Sequence, residues 1–387
     1  MEAAEIRGAF RAIEGELCAT YVEREEPIRG LMVGLLARQH VLLLGPPGTG
    51  KSAMAEDLCS RVSGQYFRWL LARTSTPEEL FGPVSLRALE ADSYRRVTTG
   101  KLPEAHVALL DECWKANSAV LNSLLSVLNE RLFFNDAAAA TVPLHMAVGA
   151  SNELPEDREE LGALWDRFAL RYQVDYIRDP QHFAALLAGS LGAPTVTRVS
   201  LADLEAAQAA VAAVRVNGAA GAMVSLRGAL AQQQIVASDR RWRQSLRLVQ
   251  AQAWLEGRDV ATEEDLGILM HALWQEPSEL PRVRQIVLAT VNPLAQQLAE
   301  LTDGAREQWE IATAAATEAE RDESKREAAT KAGIEAAGKL KRTGERLRAM
   351  QEDAARGERG TAPIEAARAQ VAAWAREVAA RCLGVSV

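Results

Sequence analysis

Cysteine is scarce in this chain, and none of the four (Cys18, Cys59, Cys113, Cys382) stands at a paired or metal-binding spacing. That argues against a disulfide framework and points to a reducing compartment, the cytoplasm. There is no excess of positive charge: the formal balance is −8, which argues against a bulk electrostatic grip on nucleic acid, although such a sum can hide a local basic pore. No apolar run approaches the length that spans a bilayer. The opening MEAAEIRGAF is acidic and amphipathic, unlike a secretory signal. No direct membrane insertion is expected, and any membrane contact would go through a partner. Aromatic residues are few, at 5%, while alanine is abundant late in the chain and favours helix there. Within these bounds, 48% hydrophobic and 25% charged residues describe an ordinary globular protein, and 387 residues suggest two or three domains.

What is present is organised around Gly45-Pro46-Pro47-Gly48-Thr49-Gly50-Lys51-Ser52, directly behind the apolar run His40-Val41-Leu42-Leu43-Leu44. The stretch fits G-x-x-x-x-G-K-[ST], a phosphate loop that requires a strand before it and a helix after it. Residues 41–44 have the look of a buried parallel strand, and Met54, Leu58 and Val62 follow at spacings of four. Glycines allow the backbone to wrap an anion with its N–H groups inward, and the helix start adds its positive end. Lys51 is then expected to reach the β- and γ-phosphates, and the Ser52 hydroxyl to ligate Mg²⁺. A nucleotide base would lie near residues 21–28.

Residues 5–37 read as two helices, with Ile6, Phe10, Ile13 and Leu17 on one stripe and Ile28, Leu31, Leu35 and Leu36 on the next. Thr76-Pro77-Glu78-Glu79 has the pattern of a capped helix start. From Leu80 to Leu102 short β-like pieces and glycines break the pattern, as an insertion would. A second buried strand, 106–110, ends in Asp111-Glu112. About sixty residues after a phosphate loop, such a pair reads as metal shell (Asp111) and activator of the attacking water (Glu112); alone, two acids at a strand end are merely solvated. An amphipathic helix over 117–131 and a hairpin over 131–144 with its tip near Asn135-Asp136 come next. A third buried strand, 146–150, runs into Asn152, whose amide suits orienting a water but is also a common turn former.

A helix over 161–170 carries Arg167, with Arg171 one turn on; an arginine there is ordinarily a surface residue. Residues 172–176 suit the last strand. Helices are expected at 181–189, 201–215, 222–235, 238–257 and 262–274. Arg240 or Arg241, at the start of the fourth, faces back towards the γ-phosphate or is simply a solvated basic turn. The last hundred residues read as a long, mostly polar helix pair, with Gly333, Gly338 and Gly344 as weak points, a break at Gly357–Pro363, and a coiled-coil-like seam from Ile364 to Cys382. A docking arm is the expected role.

GPPGTGKS, VALLDE, the hairpin after LLSVLNER, VGASNELPE and ALWDRF, in this order, resemble the AAA+ ATPases. More narrowly, STPEELFGPVSL, GKLPEAHVALLDECWKA, ASNELPE and SDRRWRQSLRLVQ resemble the MoxR branch and its RavA-like subgroup, over roughly residues 5–290. The resemblance implies an α/β AAA+ P-loop core (parallel sheet flanked by helices, 1–190), an all-α lid (191–292) and a C-terminal helical hairpin arm (293–387). It implies ATP and Mg²⁺ as cofactors, Asn152 as γ-phosphate sensor, Arg167 (less readily Arg171) as arginine finger to a neighbouring subunit, and Arg240 (or Arg241) as lid sensor. Residues 80–102 match the family's helix-2 insert and 131–144 its pre-sensor hairpin, both expected to face a pore. The implied assembly is a homo-oligomer, a hexameric ring. Its activity would be ATP hydrolysis coupled to chaperone-like remodelling of a client protein with a von Willebrand factor A domain partner, without direct nucleic-acid binding. A nucleotide-gated assembly switch with slow, incidental hydrolysis is the alternative. The C-terminus departs from RavA-like proteins: the small β-rich domain has no counterpart in the strand pattern.

Overall fold

The computed structural model describes residues 3–136, 138–155, 158–192, 195–291, 293–356 and 361–383. They fall into two compact units, Met1–Val287 and Leu288–Val387.

In the first unit, α1 (Ala3–Thr20) and α2 (Glu25–Ala37) lead into β1 (His40–Leu44) and α3 (Lys51–Ser60), then β2 (Val62–Ser63) and β3 (Tyr66–Leu70). The short helices α4 (Pro77–Phe81) and α5 (Leu86–Leu89) precede β4 (Val107–Asp111) and α6 (Ser118–Glu130). The hairpin β5 (Leu132–Asn135) and β6 (Ala138–Thr141) follows, then β7 (Met146–Ser151), α7 (Arg158–Trp165) and β8 (Phe168–Gln173). Next come α8 (Pro180–Leu187), β9 (Val199–Ser200), α9 (Leu201–Ala213), α10 (Asn217–Gln232), α11 (Asp239–Leu255) and, after a 3-10 helix at Glu263–His271, α12 (Leu280–Val291), whose last turn runs past the end of the unit at Val287.

The principal sheet is all parallel, in the order β3-β4-β7-β1-β8. Parallel strands covered on both faces read as unbroken apolar runs, and β1 and β7 are buried at every position. The chain leaves β1 to build the β3-β4-β7 side and then returns to β8 on its other edge. A crevice at the carboxyl end of β1 follows from that reversal. Helix α11 packs on this body through Trp254, edge-on to Phe10 at 5.9 Å, while Arg11 Nε donates to Leu255 O at 2.6 Å.

Several expectations need correction. The last strand begins at Phe168, not 172, because Phe168-Ala169-Leu170 continue a buried run beside β1. Strand β3 was missed, its apolar alternation being short and on an edge. Thr76 makes no side-chain cap, and the helix it opens has only five residues. The segment expected as a helix over 262–274 is a 3-10 helix; its Thr262–Asp265 capping box is present. The insert (80–102) and hairpin are joined: Asn135 bonds both the N–H and the C=O of Arg96, at 2.7 and 3.1 Å, and Ser93 Oγ donates to Asp136 at 2.7 Å.

Among its described residues the second unit is helical and holds three long helices rather than two: α13 (Pro293–Arg321), α14 (Arg326–Arg356) and α15 (Ala362–Leu383). Asp322, whose carboxylate accepts from Ser324 N, makes the turn that splits the expected long helix. Ala312, Leu340, Leu347, Val371 and Val378 are buried between the helices, and Trp309 stacks on Trp374 at 5.6 Å. Gly333 is a contact point, not a weak one: a Cβ there would stand 2.3 Å from Cys382 Cβ. Residues 357–360 of the expected break lie outside the described residues.

Candidate active site

Where β1 ends, Gly45 has φ +152°, and a Cβ on it would meet Val174 O at 2.1 Å; only glycine lets the loop leave the sheet there. Gly48 and Gly50 also lie in the left-handed region, at φ +78° and +82°. Gly50 is the N-cap of α3 and offers no side chain to the first-turn N–H groups, which leaves them for an anion. Lys51 folds back over the loop, its Nζ donating to Gly45 O at 2.7 Å, Pro46 O at 2.8 Å and Asn152 Oδ1 at 3.0 Å. Burial pulls its pKa down, against the opposing pull of Asp111 and Glu112.

The other expected residues converge on that lysine from neighbouring strand ends. Ser52 Oγ donates to Asp111 Oδ2 at 2.9 Å, joining the first turn of α3 to the end of β4. One residue on, Glu112 takes a left-handed conformation (φ 51°, ψ 45°), the bend that carries its carboxylate out of the strand line. Asn152, just after β7, donates from Nδ2 to Glu112 Oε1 at 2.7 Å while its Oδ1 accepts from Lys51. Lys51, Asn152 and Glu112 therefore form one hydrogen-bonded chain, with Ser52–Asp111 alongside. Sequence reasoning missed Lys115, whose Nζ lies 3.2 Å from Glu112 Oε2. The i,i+3 spacing on one turn was the available signal.

Beside the loop lies a cavity of about 520 Å³ lined by Tyr21, Val22, Gly48, Gly50, Ile177, Phe183, Leu186 and Leu191, among others. One wall is Thr20, Tyr21, Val22 and Arg24, at the start of the 21–28 stretch. The other, 176–191, was missed, although Phe183 and Leu186 make an apolar face on α8 that stays about half exposed. Arg24 bridges the two walls behind the loop, donating to Thr49 O at 3.4 Å and to Asp175 O. Tyr176 Oη donates to Pro47 O at 3.3 Å.

The four arginines divide sharply. Arg171 is 0% exposed: it donates to Trp274 O and Trp165 O and lies over the Trp165 ring at 4.6 Å. Arg241 is also 0% exposed and donates to Phe168 O (2.9 Å), Asp166 O (3.1 Å) and Asp166 Oδ1 (2.9 Å). Both hold the fold. Arg167 lies between α7 and β8, with Nη1 3.6 Å from Asp166 Oδ2. Arg240, its side chain 39% exposed, donates to Asn129 Oδ1 at 2.6 Å and sits 4.0 Å from the same Asp166 oxygen. Phe168 pairs with His40, the first residue of β1, so Arg167 stands at the sheet end opposite the phosphate loop, about 13 Å of strand away. Arg240 shares that end through Asp166, and does not face its own phosphate loop as expected.

A family model for the MoxR domain in the MoxR-vWA-beta-propeller ternary systems matches residues 8–210. The chain belongs to the MoxR family of AAA+ ATPases. An AAA lid domain model matches residues 220–287 of this MoxR chain. An uncharacterised protein of Methanocaldococcus jannaschii is 37% identical to it over 295 residues, 76% of this chain and 77% of the other. Chaperone MoxR1 of Mycobacterium tuberculosis is 28% identical over 179 residues, 45% of this chain and 46% of its own length. A solved candidate ATPase from Cytophaga hutchinsonii superposes with a TM-score of 0.59 at 17% identity, covering 75% of the MoxR chain and 95% of its own; it bears on the fold alone. Among the described residues no helix is long and apolar enough to cross a membrane.

Proposed function

We propose that this MoxR chain hydrolyses ATP to ADP and phosphate in a ring oligomer. The single observation that carries the proposal is the hydrogen-bonded convergence of Lys51, Asn152 and Glu112, with Ser52–Asp111 beside it, at the carboxyl ends of three adjacent parallel strands. The residues 45–52 cradle the phosphates, and Lys51 Nζ exchanges loop carbonyls for β- and γ-phosphate oxygens. The Ser52 hydroxyl and Asp111 carboxylate, 2.9 Å apart, are hard oxygen donors suited to Mg²⁺, an ion that keeps several waters and takes only one or two protein oxygens beside substrate phosphates. When bound, that ion supplies neutralisation of the phosphate charge. Glu112 accepts the proton of the attacking water, and the Asn152 amide, bonded to both Lys51 and Glu112, orients water and γ-phosphate.

The placement of Arg167 supports the ring: at the far end of its own sheet it suits a neighbour's nucleotide, and Arg240 beside it suits the same task. We infer a homohexamer acting as a chaperone-like remodeller of a client protein with a von Willebrand factor A domain partner; the matched family model, drawn from MoxR-vWA systems, supports that partner. The RavA-like placement rests on the four stretches quoted above. We assign 1–190 to the nucleotide-binding domain, 191–292 to the lid and 293–387 to a docking arm, in the cytoplasm. The test is MgATP turnover by the purified chain with and without Glu112→Gln. Bound ATP without phosphate release in the variant is expected; unchanged release would refute the base assignment. Turnover that never responds to an added vWA partner or client would favour the assembly-switch alternative.

A further inference from the structure

Glu23 takes no part in the chemistry above, yet it gathers an unusual set of partners from the far side of the base cavity. Its side chain accepts from Arg178 N at 2.9 Å, from Asp179 N at 2.9 Å, and meets His182 Nδ1 at 3.1 Å, across more than 150 residues of chain. Glu23 itself lies in the left-handed region, at φ 58°, an uncommon conformation for a residue with a side chain. The two N–H hydrogen bonds and the His182 contact keep the carboxylate ionised, its pKa lowered to about 2.

The helix α8 that follows these contacts already has its own N-cap. Asp179 Oδ1 accepts from Gln181 N at 2.7 Å and His182 N at 3.3 Å. Glu23 is therefore not needed for α8 to form. What it adds is position: α8 carries Phe183 and Leu186, the outer wall of the cavity, whereas Tyr21 and Val22, two residues before Glu23, belong to the inner wall. The next residue, Arg24, ties the start of the same outer segment to the phosphate loop through Asp175 O and Thr49 O. Residues 175–182 are thus held at both ends by two consecutive side chains.

We propose that Glu23 is a positioning residue that fixes the width of the base cavity, so that the affinity gained from the base depends on it while phosphate binding does not. The proposal rests on the nucleotide-binding function proposed above. It is tested on the full chain by measuring the Kd of MgATP and of magnesium tripolyphosphate, which has the phosphates but no base, for wild type, Glu23→Gln and His182→Ala. A glutamine can accept only through one oxygen and turns its amide N–H groups towards other N–H donors. Glu23→Gln is expected to weaken MgATP about tenfold, the order of one or two lost hydrogen bonds, with tripolyphosphate affinity and kcat at saturating ATP unchanged. His182→Ala, which leaves both backbone contacts, is expected to weaken MgATP in the same direction by less. Unchanged MgATP affinity in Glu23→Gln, or an equal loss for both ligands, overturns the positioning role. A wild-type chain that binds neither ligand overturns the nucleotide reading itself, and the role of Glu23 with it.

Discussion

Replacing Arg167 by alanine tests the geometry of the whole assembly. The strand register puts Phe168 opposite His40 and Gln173 opposite Leu44, so the residue before Phe168 is separated from its own phosphate loop by the length of β1. An arginine side chain cannot cover about 13 Å of strand and the loop beyond it. In the proposed ring its charge serves the ATP of another subunit, where an arginine supplied from outside is worth about 10³- to 10⁵-fold in rate. Arg167→Ala should therefore bind MgATP normally and lose turnover by at least about three orders of magnitude. Mixed with a Lys51→Ala variant, which keeps Arg167 but does not bind nucleotide, it should regain activity. In a randomly mixed ring of equal parts, about a quarter of the sites combine an intact phosphate loop with a neighbour's intact arginine, so roughly a quarter of wild-type turnover is the ceiling. The assay is phosphate release after subunit exchange, across a series of mixing ratios with a maximum at equal parts. No recovery at any ratio, with exchange demonstrated by labelled subunits, would refute the trans role.

Arg171→Ala is expected to behave differently. It removes a buried guanidinium from between two indoles and strips Trp274 O and Trp165 O of a donor, so it should cost about 3 kcal/mol in urea unfolding, where Arg167→Ala costs little. Acid should destabilise the chain well above the carboxylate range. Burial holds His40 well below 6.5 and His271 at about 3, so both are neutral when folded and take a proton on unfolding. Their stabilisation is complete above pH 6.5 and declines as pH falls through it, by about 1.4 kcal/mol each at pH 5.5; urea midpoints that stay flat from pH 7.5 to 5.5 would refute this. Gly333→Ala should lower the stability of the C-terminal unit by about 1–3 kcal/mol despite alanine's better helix propensity, since the new Cβ meets Cys382 Cβ at 2.3 Å; denaturant unfolding of the full chain measures it.

Features of the sheet and phosphate loop that show in local sequence were legible without coordinates. β1 and β7 are buried on both faces and so read as continuous apolar runs, and a loop that must fold backbone around an anion needs its glycines at fixed offsets. The end of β4 was legible because two acids follow a buried run. The edge strand β3 was not: with one neighbour and partial exposure, Tyr66–Leu70 carries no unbroken apolar signal. In the C-terminal unit the expected long helix is split at Asp322 by a local side-chain turn in a polar stretch, where hydrophobic periodicity says nothing.

The arginines mark the limit of local reasoning more sharply. Arg167 and Arg171 stand four apart, and Arg240 and Arg241 are adjacent, so composition and spacing give each pair the same claim. Arg171 is set apart from Arg167 by its bonds to Trp274 O and Trp165 O, and what separates Arg241 from Arg240 is Asp166. Its Oδ1 and backbone carbonyl bind the buried Arg241, which also takes Phe168 O and so fixes the start of β8 against α11. Its Oδ2 is left to the two less buried arginines, 3.6 Å from Arg167 and 4.0 Å from Arg240. One carboxylate thus faces three guanidiniums at the sheet end far from the phosphate loop. Asp166→Asn should loosen β8 against the lid through Arg241 while leaving Arg167 in place. If turnover then fell no further than thermal stability explains, Asp166 would be a structural anchor only. A larger loss of turnover than of stability would show that it also aims Arg167 and Arg240.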